Sequence, residues 1–496
     1  MSSSQRVVYL TGNDVLSDPR VLKYINAALE MGLEVKALGV TRSGPGFHTV
    51  FEGCDVTVTG VPQGFVRRLA SMSRQLGTVW RLRYRSKAEL FAARSQVTRW
   101  RASAAAHGGA RRAVLGSLAV AGRVTVALVG AIGSRSRSTS TKQVHDDADH
   151  RRQVDALLTQ SGFRWQKVVP HLVKDEKMIG PLLDSLEPDI IHVHDVFMLA
   201  LGAHARERAR ARGRDVTLVY DAHEYVRGLT NLPPELAAAY TQLEGEVIRE
   251  TDAVITVSEP LARSLQEDYQ LPSTPLVVLN APRSRTSEKG FQTLRKVVGV
   301  DGAPLLVYAG GVNFARGVDT AIRALPELDG VHLAVVTNRV NVVVNSLIEL
   351  AKELGVDSRV HLTDYVDPQL VVEFLADATV GLSTLLRSPN HDVAITNKFC
   401  EYLQAGLPIV TSDTPAQRDL VERYGVGEVY VAGDVHSFVE ATRAVLADTD
   451  SYRTRIAKET GLRHQLTWAA QAGLIEELYV GLVGELRGQR TATGDK

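Results

Sequence analysis

A chain of 496 residues, 44% hydrophobic and 23% charged, is long enough for two or three domains with substantial cores and has the proportions of an ordinary globular protein. Its two cysteines, Cys54 and Cys400, lie too far apart in sequence to suggest a disulfide framework and fit a reducing cytoplasm. The net charge of +1 hides an asymmetry: between Phe65 and His145 sixteen Lys/Arg residues face one acid, Glu89, which leaves the rest of the chain net negative by fourteen.

The amino terminus runs into a first strand, Arg6 to Thr11, without a secretory apolar region, so a cytoplasmic location is expected. Gly12 and Asn13 make a tight turn. Asp18 is the expected N-cap and Pro19 the first residue of a helix that reaches Met31-Gly32, with Arg20 beside the cap. A strand from Glu34 to Gly39 follows. This β–α–β opening implies parallel strands and a right-handed crossover. It contains no G-x-G-x-x-G, so a dinucleotide fingerprint is not supported.

From Phe65 to Val154 arginines interleave with Phe65, Trp80, Tyr84, Phe91 and Trp100, and Ala113 to Gly133 form an apolar run with Arg123 at its centre. The run has the length of a membrane span, but a central arginine costs about 2.5–3.5 kcal/mol on insertion scales. We expect instead a basic helical insertion, partly disordered around Ser134–Ser140, that rests on an anionic membrane surface at the inner face of the plasma membrane. A solvated insertion with no lipid role is the alternative. Nucleic-acid binding is the weaker option, because no recognised fold carries the basic segment, and none is expected.

Order is expected to return at Lys174. Ile190 to Val193 reads as a strand with His192, His194 and Asp195 at its carboxyl end, and Val216 to Tyr220 as a second strand ending in Asp221-Ala-His223-Glu224. Ligands gather at that edge of open α/β sheets, so two strand-end clusters of histidine and acid mark a site. Metal ligation by these histidines is the rival reading, but no third ligand has convincing spacing, and neither a metal nor a cofactor is expected. A linker around residue 280 leads to a second alternating series. There the turn Gly310-Gly311-Val-Asn-Phe-Ala-Arg316-Gly317 precedes a helix: glycines admit phosphate to the backbone, and Arg316 can bind a diphosphate. Finally, Ser388 to Ser412 reads as loop, helix, glycine cap and buried strand. Phe399, Tyr402 and Leu403 form the apolar face, Lys398 and Glu401 lie elsewhere on the helix, and the helix start favours anions.

The phrase Asn397-Lys-Phe-Cys-Glu401-Tyr-Leu-Gln-Ala-Gly-Leu-Pro-Ile-Val resembles the donor-site segment of the family-4 retaining glycosyltransferases, in the branch whose helix reads Asn-Lys-x-x-Glu-Tyr after a pair like Asn390-His391. Pro-Asp-x-x-His-x-His, Asp-Ala-His-Glu, the Gly-Gly…Arg-Gly turn and the Asp-Pro-Arg-Val opening are similar to that family too. The resemblance implies an α/β GT-B fold of two Rossmann-like domains facing a cleft: an acceptor-side domain at 1–280 with the 65–154 insertion, a nucleotide-sugar domain at 281–464, and a terminal helix at 465–496 crossing back. It implies that Glu401 holds a ribose, that Gly310, Gly311, Arg316, Asn390, His391, Asn397 and Lys398 complete the donor site, and that His194, His223 and Glu224 serve catalysis. Gly12, Asn13, Asp18 and Arg20 would form the acceptor-side loop. The family's usual second glutamate is Val393 here. The implied activity is retaining transfer of a sugar from a nucleotide sugar to a glycan or lipid-linked acceptor in bacterial cell-envelope or exopolysaccharide synthesis. The alternatives are a sugar-nucleotide 2-epimerase of the same fold and a non-catalytic membrane-associated scaffold.

Overall fold

Short apolar runs, most of them followed by a helix, build one largely parallel and one wholly parallel sheet. The computed structural model describes residues 5–42, 44–61, 140–285, 287, 290–338 and 342–484. The expected basic helices, the Ala113–Gly133 run and most of the Ser134–Ser140 stretch lie outside them. No helix among the described residues is long and apolar enough to cross a membrane.

The first sheet holds β1 (Arg6–Leu10), β2 (Glu34–Thr41), β3 (Phe47–Phe51), β4 (Cys54–Gly60), β5 (Ile190–His194), β6 (Thr217–Ala222), β7 (Ala253–Thr256) and β8 (Leu276–Val277), in the order β3-β4-β2-β1-β5-β6-β7-β8. All pairs are parallel except β3–β4. The second sheet holds β9 (Leu305–Ala309), β10 (His332–Val336), β11 (Val360–Thr363), β12 (Val380–Ser383), β13 (Ile409–Ser412) and β14 (Gly427–Tyr430), in the order β11-β10-β9-β12-β13-β14 and parallel throughout. Two doubly wound parallel sheets are the architecture expected of a GT-B protein.

The helix Pro19–Glu30 starts as its sequence dictates. Asp18 accepts from the backbone N–H of Arg20 and Val21, satisfying donors that a bare helix end leaves open. Its buried face, Val21, Tyr24, Ile25 and Ala28, joins Val7, Tyr9 and Val35 in one core. The last helix, Trp468–Val483, completes that core: Trp468, Ile475 and Tyr479 pack into it, and the Tyr479 and Tyr9 hydroxyls meet at 3.2 Å. The expected Leu474, Leu478, Leu482 ladder is only partly buried and flanks that line.

The expected end of the insertion at Val154 falls inside a helix, Ser140–Thr159, and further helices at Trp165–Val168 and Pro170–Ser185 precede β5, so order returns well before Lys174. The charged run His145 to Arg152 hid an apolar stripe. Val154, Leu157 and Leu158 pack on Ala237 and Ala238, His150 hydrogen-bonds the Leu232 carbonyl oxygen at 2.8 Å, and Arg227 pairs with Asp155 at 2.8 Å.

In the second sheet Tyr402 locks the helix Asn397–Gln404 to the strands. Its hydroxyl accepts from the Ala309 N–H at 2.9 Å and lies 3.2 Å from the carbonyl oxygens of Val307 and Leu382. Gly381 in β12 makes this possible, because a Cβ there would stand 2.4 Å from the Tyr402 ring. The orientation of one helix is thus fixed by a tyrosine and a glycine on neighbouring elements.

Candidate active site

Two groups of side chains gather at the carboxyl ends of the two sheets. On the second sheet, β9 ends in Gly310 and Gly311, and a short 3-10 turn at Phe314–Arg316 is capped by Asn313, whose Oδ1 accepts from the Arg316 N–H at 3.1 Å. Gly317 then turns left-handed at φ 62, where a Cβ would come within 2.2 Å of the Thr384 carbonyl oxygen. The Thr384 hydroxyl donates to the Arg316 carbonyl oxygen at 2.6 Å and fixes the turn from β12. The Arg316 guanidinium is half-buried and makes no hydrogen bond or ion pair among the described residues.

The helix Asn397–Gln404 begins without a side-chain cap and with no acid in its first turn, so no side chain of its own offsets its positive end. Lys398 is 7% exposed and reaches back until its Nζ lies 5.0 Å from the centre of the Tyr308 ring and beside Gly310. Burial, and then the neighbouring Arg316, push the Lys398 ammonium down to about 7, while Glu401 opposes them. Burial in turn pushes the Glu401 carboxyl up, against Lys398 and Lys23. The Glu401 carboxyl has no hydrogen-bond partner among the described residues, and Asn397 is exposed at the helix start.

The remaining expected donor residues are less free. The His391 ring Nδ1 is held by the Leu386 carbonyl oxygen at 2.7 Å. Asn390 belongs to an interlobe seam, where its Oδ1 accepts from the Tyr225 N–H at 2.9 Å. Val393, at the place of the missing glutamate, also serves this seam: it packs on the core of the first sheet, and the Ser258 hydroxyl donates to its carbonyl oxygen.

On the first sheet, parallel pairing sets His194 directly beside Asp221. Asp221 is fully buried, yet the Arg20 guanidinium beside it holds its carboxyl well below the usual carboxylate range. The Arg20 Nε meets Oδ2 at 2.8 Å and Nη2 meets Oδ1 at 2.9 Å. His194 Nδ1 lies 3.3 Å from the same Oδ2 and shares a hydrogen bond of 3.1 Å with His223 Nε2. Burial lowers the His194 pKa. His223 behaves oppositely: burial works against its charge, but Asp195 and Asp221 raise it to about 10. Glu224 is pushed up by burial and by Asp195, with His223 and Arg316 opposing, so Arg316 from the second lobe lies within its electrostatic reach.

These contacts correct two expectations. His194 is not exposed at the rim: it is 0% exposed, stacked on His192 and covered by Tyr9, Tyr24 and His223. Arg20 is not part of an open acceptor-side loop either. It lies inside the first helix, 3% exposed, because its partner Asp221 is buried. Asn13 shapes the loop, accepting from the Val15 N–H and donating to Asp18 at 2.7 Å, and Gly12 packs against Phe197.

Spacing alone missed several residues. Asp221 stood in the phrase Asp-Ala-His-Glu, but only pairing with β5 shows that it anchors both histidines. Lys23 carried no signal. Its ammonium bonds Asn280 and the Ala281 carbonyl oxygen, lies over Trp468, and is pushed down to about 7 by burial, partly offset by Glu401. Asp221 also supplies the third metal-ligand type that sequence spacing lacked: His192, His194 and Asp221 could hold an ion, with ligand atoms within 4.8 Å of one another. The Nε2 atoms of both histidines are buried without partners. However, both Asp221 oxygens already meet the Arg20 guanidinium, and a cation placed there would stand against that charge.

Comparison with known proteins agrees with this two-lobed geometry. Residues 138–281 match the family model described as Glycosyltransferase Family 4, and residues 303–448 match the one described as Glycosyl transferases group 1. The chain is 23% identical over 322 residues to D-inositol 3-phosphate glycosyltransferase of Nocardia farcinica, covering 62% of this chain and 69% of that protein. It is 25% identical to glycogen synthase of Mycobacterium tuberculosis, covering 60% and 69%. In three dimensions it resembles sucrose-phosphate synthase from Thermosynechococcus elongatus, with a TM-score of 0.58, 12% identity and coverage of 96% and 99%. The Anabaena HepE protein in complex with UDP and glucose gives 0.57, 13%, 96% and 100%. Carrying both domain types, one on each of its two sheets, the chain is a glycosyltransferase of the GT-B type.

Proposed function

We propose that this enzyme moves a sugar from a nucleotide-sugar donor, with retention of configuration, to a glycan or lipid-linked acceptor in bacterial cell-envelope or exopolysaccharide synthesis. The observation that carries the reading is Lys398 beside Gly310, on the uncapped first turn of the helix Asn397–Gln404, with Arg316 near enough to disfavour its charge. A lysine whose charge is disfavoured by burial and by a neighbouring arginine, set at the start of a helix, is a place where an anion relieves repulsion, and a diphosphate has the charge and reach to meet both side chains. Glu401, one turn along the same helix, accepts hydrogen bonds from the ribose diol. The fold is shared with a protein seen in complex with UDP and glucose, which supports a donor of that class.

In this reading the bond from the sugar to the diphosphate breaks with its electron pair going to the departing phosphate oxygen. Arg316, Lys398 and the helix amides stabilise the charge that develops there. The acceptor hydroxyl adds to the same face of the sugar, and its proton leaves with the diphosphate. The test is release of nucleoside diphosphate from a panel of sugar nucleotides, by the wild type and by Arg316→Ala and Lys398→Ala. The expected result is release from at least one donor, lost by at least a hundredfold in both variants. A panel that the wild type neither binds nor cleaves would overturn the reading.

A further inference from the structure

Asp195 closes β5 one residue after His194, and its backbone stands at φ 63, ψ 159, a region that residues other than glycine rarely adopt. Such strain persists where the surroundings hold it in place, and it concentrates at functional sites. Here the backbone N–H of Asp195 donates to the Asp221 carbonyl oxygen at 3.1 Å, and its carboxylate Oδ2 lies 3.4 Å from His223 Nδ1. The charges therefore alternate outward from the core: Arg20, Asp221, His223, Asp195. Arg20 and Asp221 are closed off from solvent, whereas the Asp195 side chain is 28% exposed and shares its surroundings with Glu224, which itself feels Arg316 of the other lobe.

We propose that Asp195 is the hydroxyl-binding carboxylate of the first lobe, its oxygens accepting hydrogen bonds from hydroxyl groups of the sugar, with His223 as the residue that positions it. The chemistry follows from local charge. Asp195, Asp221 and Glu224 outnumber the cations His223 and Arg20, so this wall repels phosphate and suits an uncharged polyol. Arg316 and Lys398 make the opposite wall suit the diphosphate. A glycine would adopt the Asp195 backbone without strain, and the aspartate supplies the one thing glycine lacks, a carboxylate aimed beside His223.

This inference rests on the donor reading above, and its test separates the two. Asp195→Gly and Asp195→Asn are compared with wild type for thermal midpoint, for UDP affinity, and for nucleoside diphosphate release from whichever sugar nucleotide the wild type cleaves. Asp195→Gly, which relieves the backbone strain but removes the His223 partner, is expected to stay folded, to bind UDP within threefold of wild type, and to release nucleoside diphosphate at least a hundredfold more slowly. Asp195→Asn should lose the same rate. Release within threefold of wild type by Asp195→Gly, or a loss of UDP affinity that matches the loss of rate, would overturn the Asp195 assignment and leave the donor reading standing. A wild type that cleaves no sugar nucleotide would bring down both.

Discussion

Arg20 and Asp221, 201 residues apart, meet through two parallel hydrogen bonds of 2.8 and 2.9 Å in a place where neither side chain is more than 3% exposed. The pair joins the first helix to β6, and Arg20 Nη1 also donates to the Val278 carbonyl oxygen at 3.0 Å, so one guanidinium ties three parts of the first lobe together. Outward of the pair, Asp195 and the Asp221 charge together support the protonated state of His223.

Removing one partner should therefore cost far more than a surface change. Arg20→Met leaves Asp221 buried and uncompensated, and an orphaned buried charge of this kind costs about 3–5 kcal/mol. Denaturant unfolding should show that loss. An unfolding free energy within about 1 kcal/mol of wild type would mean that Asp221 takes up a proton or rearranges.

Donor binding should be linked to a proton at Lys398. In the free protein its ammonium is pushed down to about 7 by burial and by Arg316, and a bound diphosphate favours the charged form. Affinity for UDP should thus be flat below neutral pH and fall as pH rises above about 7, approaching tenfold per unit. Calorimetry across pH 6 to 9 measures this, and Lys398→Met should bind weakly with the slope abolished. A slope retained in that variant would assign the proton elsewhere.

Glu401→Gln should weaken donor binding while leaving the fold intact. The Glu401 carboxyl carries no hydrogen bond among the described residues, whereas the apolar residues beside it, Phe399, Tyr402 and Leu403, hold the helix in the core. A charge-assisted hydrogen bond contributes about 1.5–3 kcal/mol, so affinity should drop roughly ten- to hundredfold. Equal affinity in a folded variant would remove Glu401 from the site.

Glu244 gives the first lobe a pH-dependent stability. Its fully buried carboxyl receives hydrogen bonds of 2.6 Å from Tyr220 and Tyr269, but burial outweighs them and pushes its pKa up to about 7. The folded-state value lies above the unfolded one, so the group's contribution is fully present below about pH 4 and is lost as pH rises through about 7. Glu244→Gln should consequently gain on wild type between pH 5 and 8 in urea titrations. A constant difference over that range would show that Glu244 does not titrate there.

The basic segment is expected to bind anionic lipid, at about 1 kcal/mol for each Lys or Arg near the surface. Deletion of residues 65–139, which spares the packed helix Ser140–Thr159, should abolish salt-sensitive sedimentation with phosphatidylserine vesicles. Equal sedimentation of the two proteins would exclude a lipid role for the segment.

By itself the sequence determined the local structure, because local structure is set by neighbours along the chain. Asp18 and Pro19 start a helix, Gly406 ends one, and Phe399, Tyr402 and Leu403 at helical spacing choose a buried face. The short apolar runs of β9 and β13, each entered through a proline and left through polar or glycine residues, fit buried strands. The glycine turn before Arg316 and the placement of Lys398 and Glu401 on one helix were legible for the same reason. What only the tertiary structure decided is which distant residues meet. Register between β5 and β6 puts His194 against Asp221, and the first helix delivers Arg20 to that carboxylate from 201 positions away. Burial of the pair then turns a histidine expected at the rim into a core residue and leaves His223 and Asp195 facing outward. The helix Ser140–Thr159 read as part of a charged insertion because its packing stripe is three residues wide, and only contact with Ala237 and Ala238 reveals it. Spacing along a chain fixes periodicity; charge pairing and desolvation depend on distances that the chain closes only when it folds.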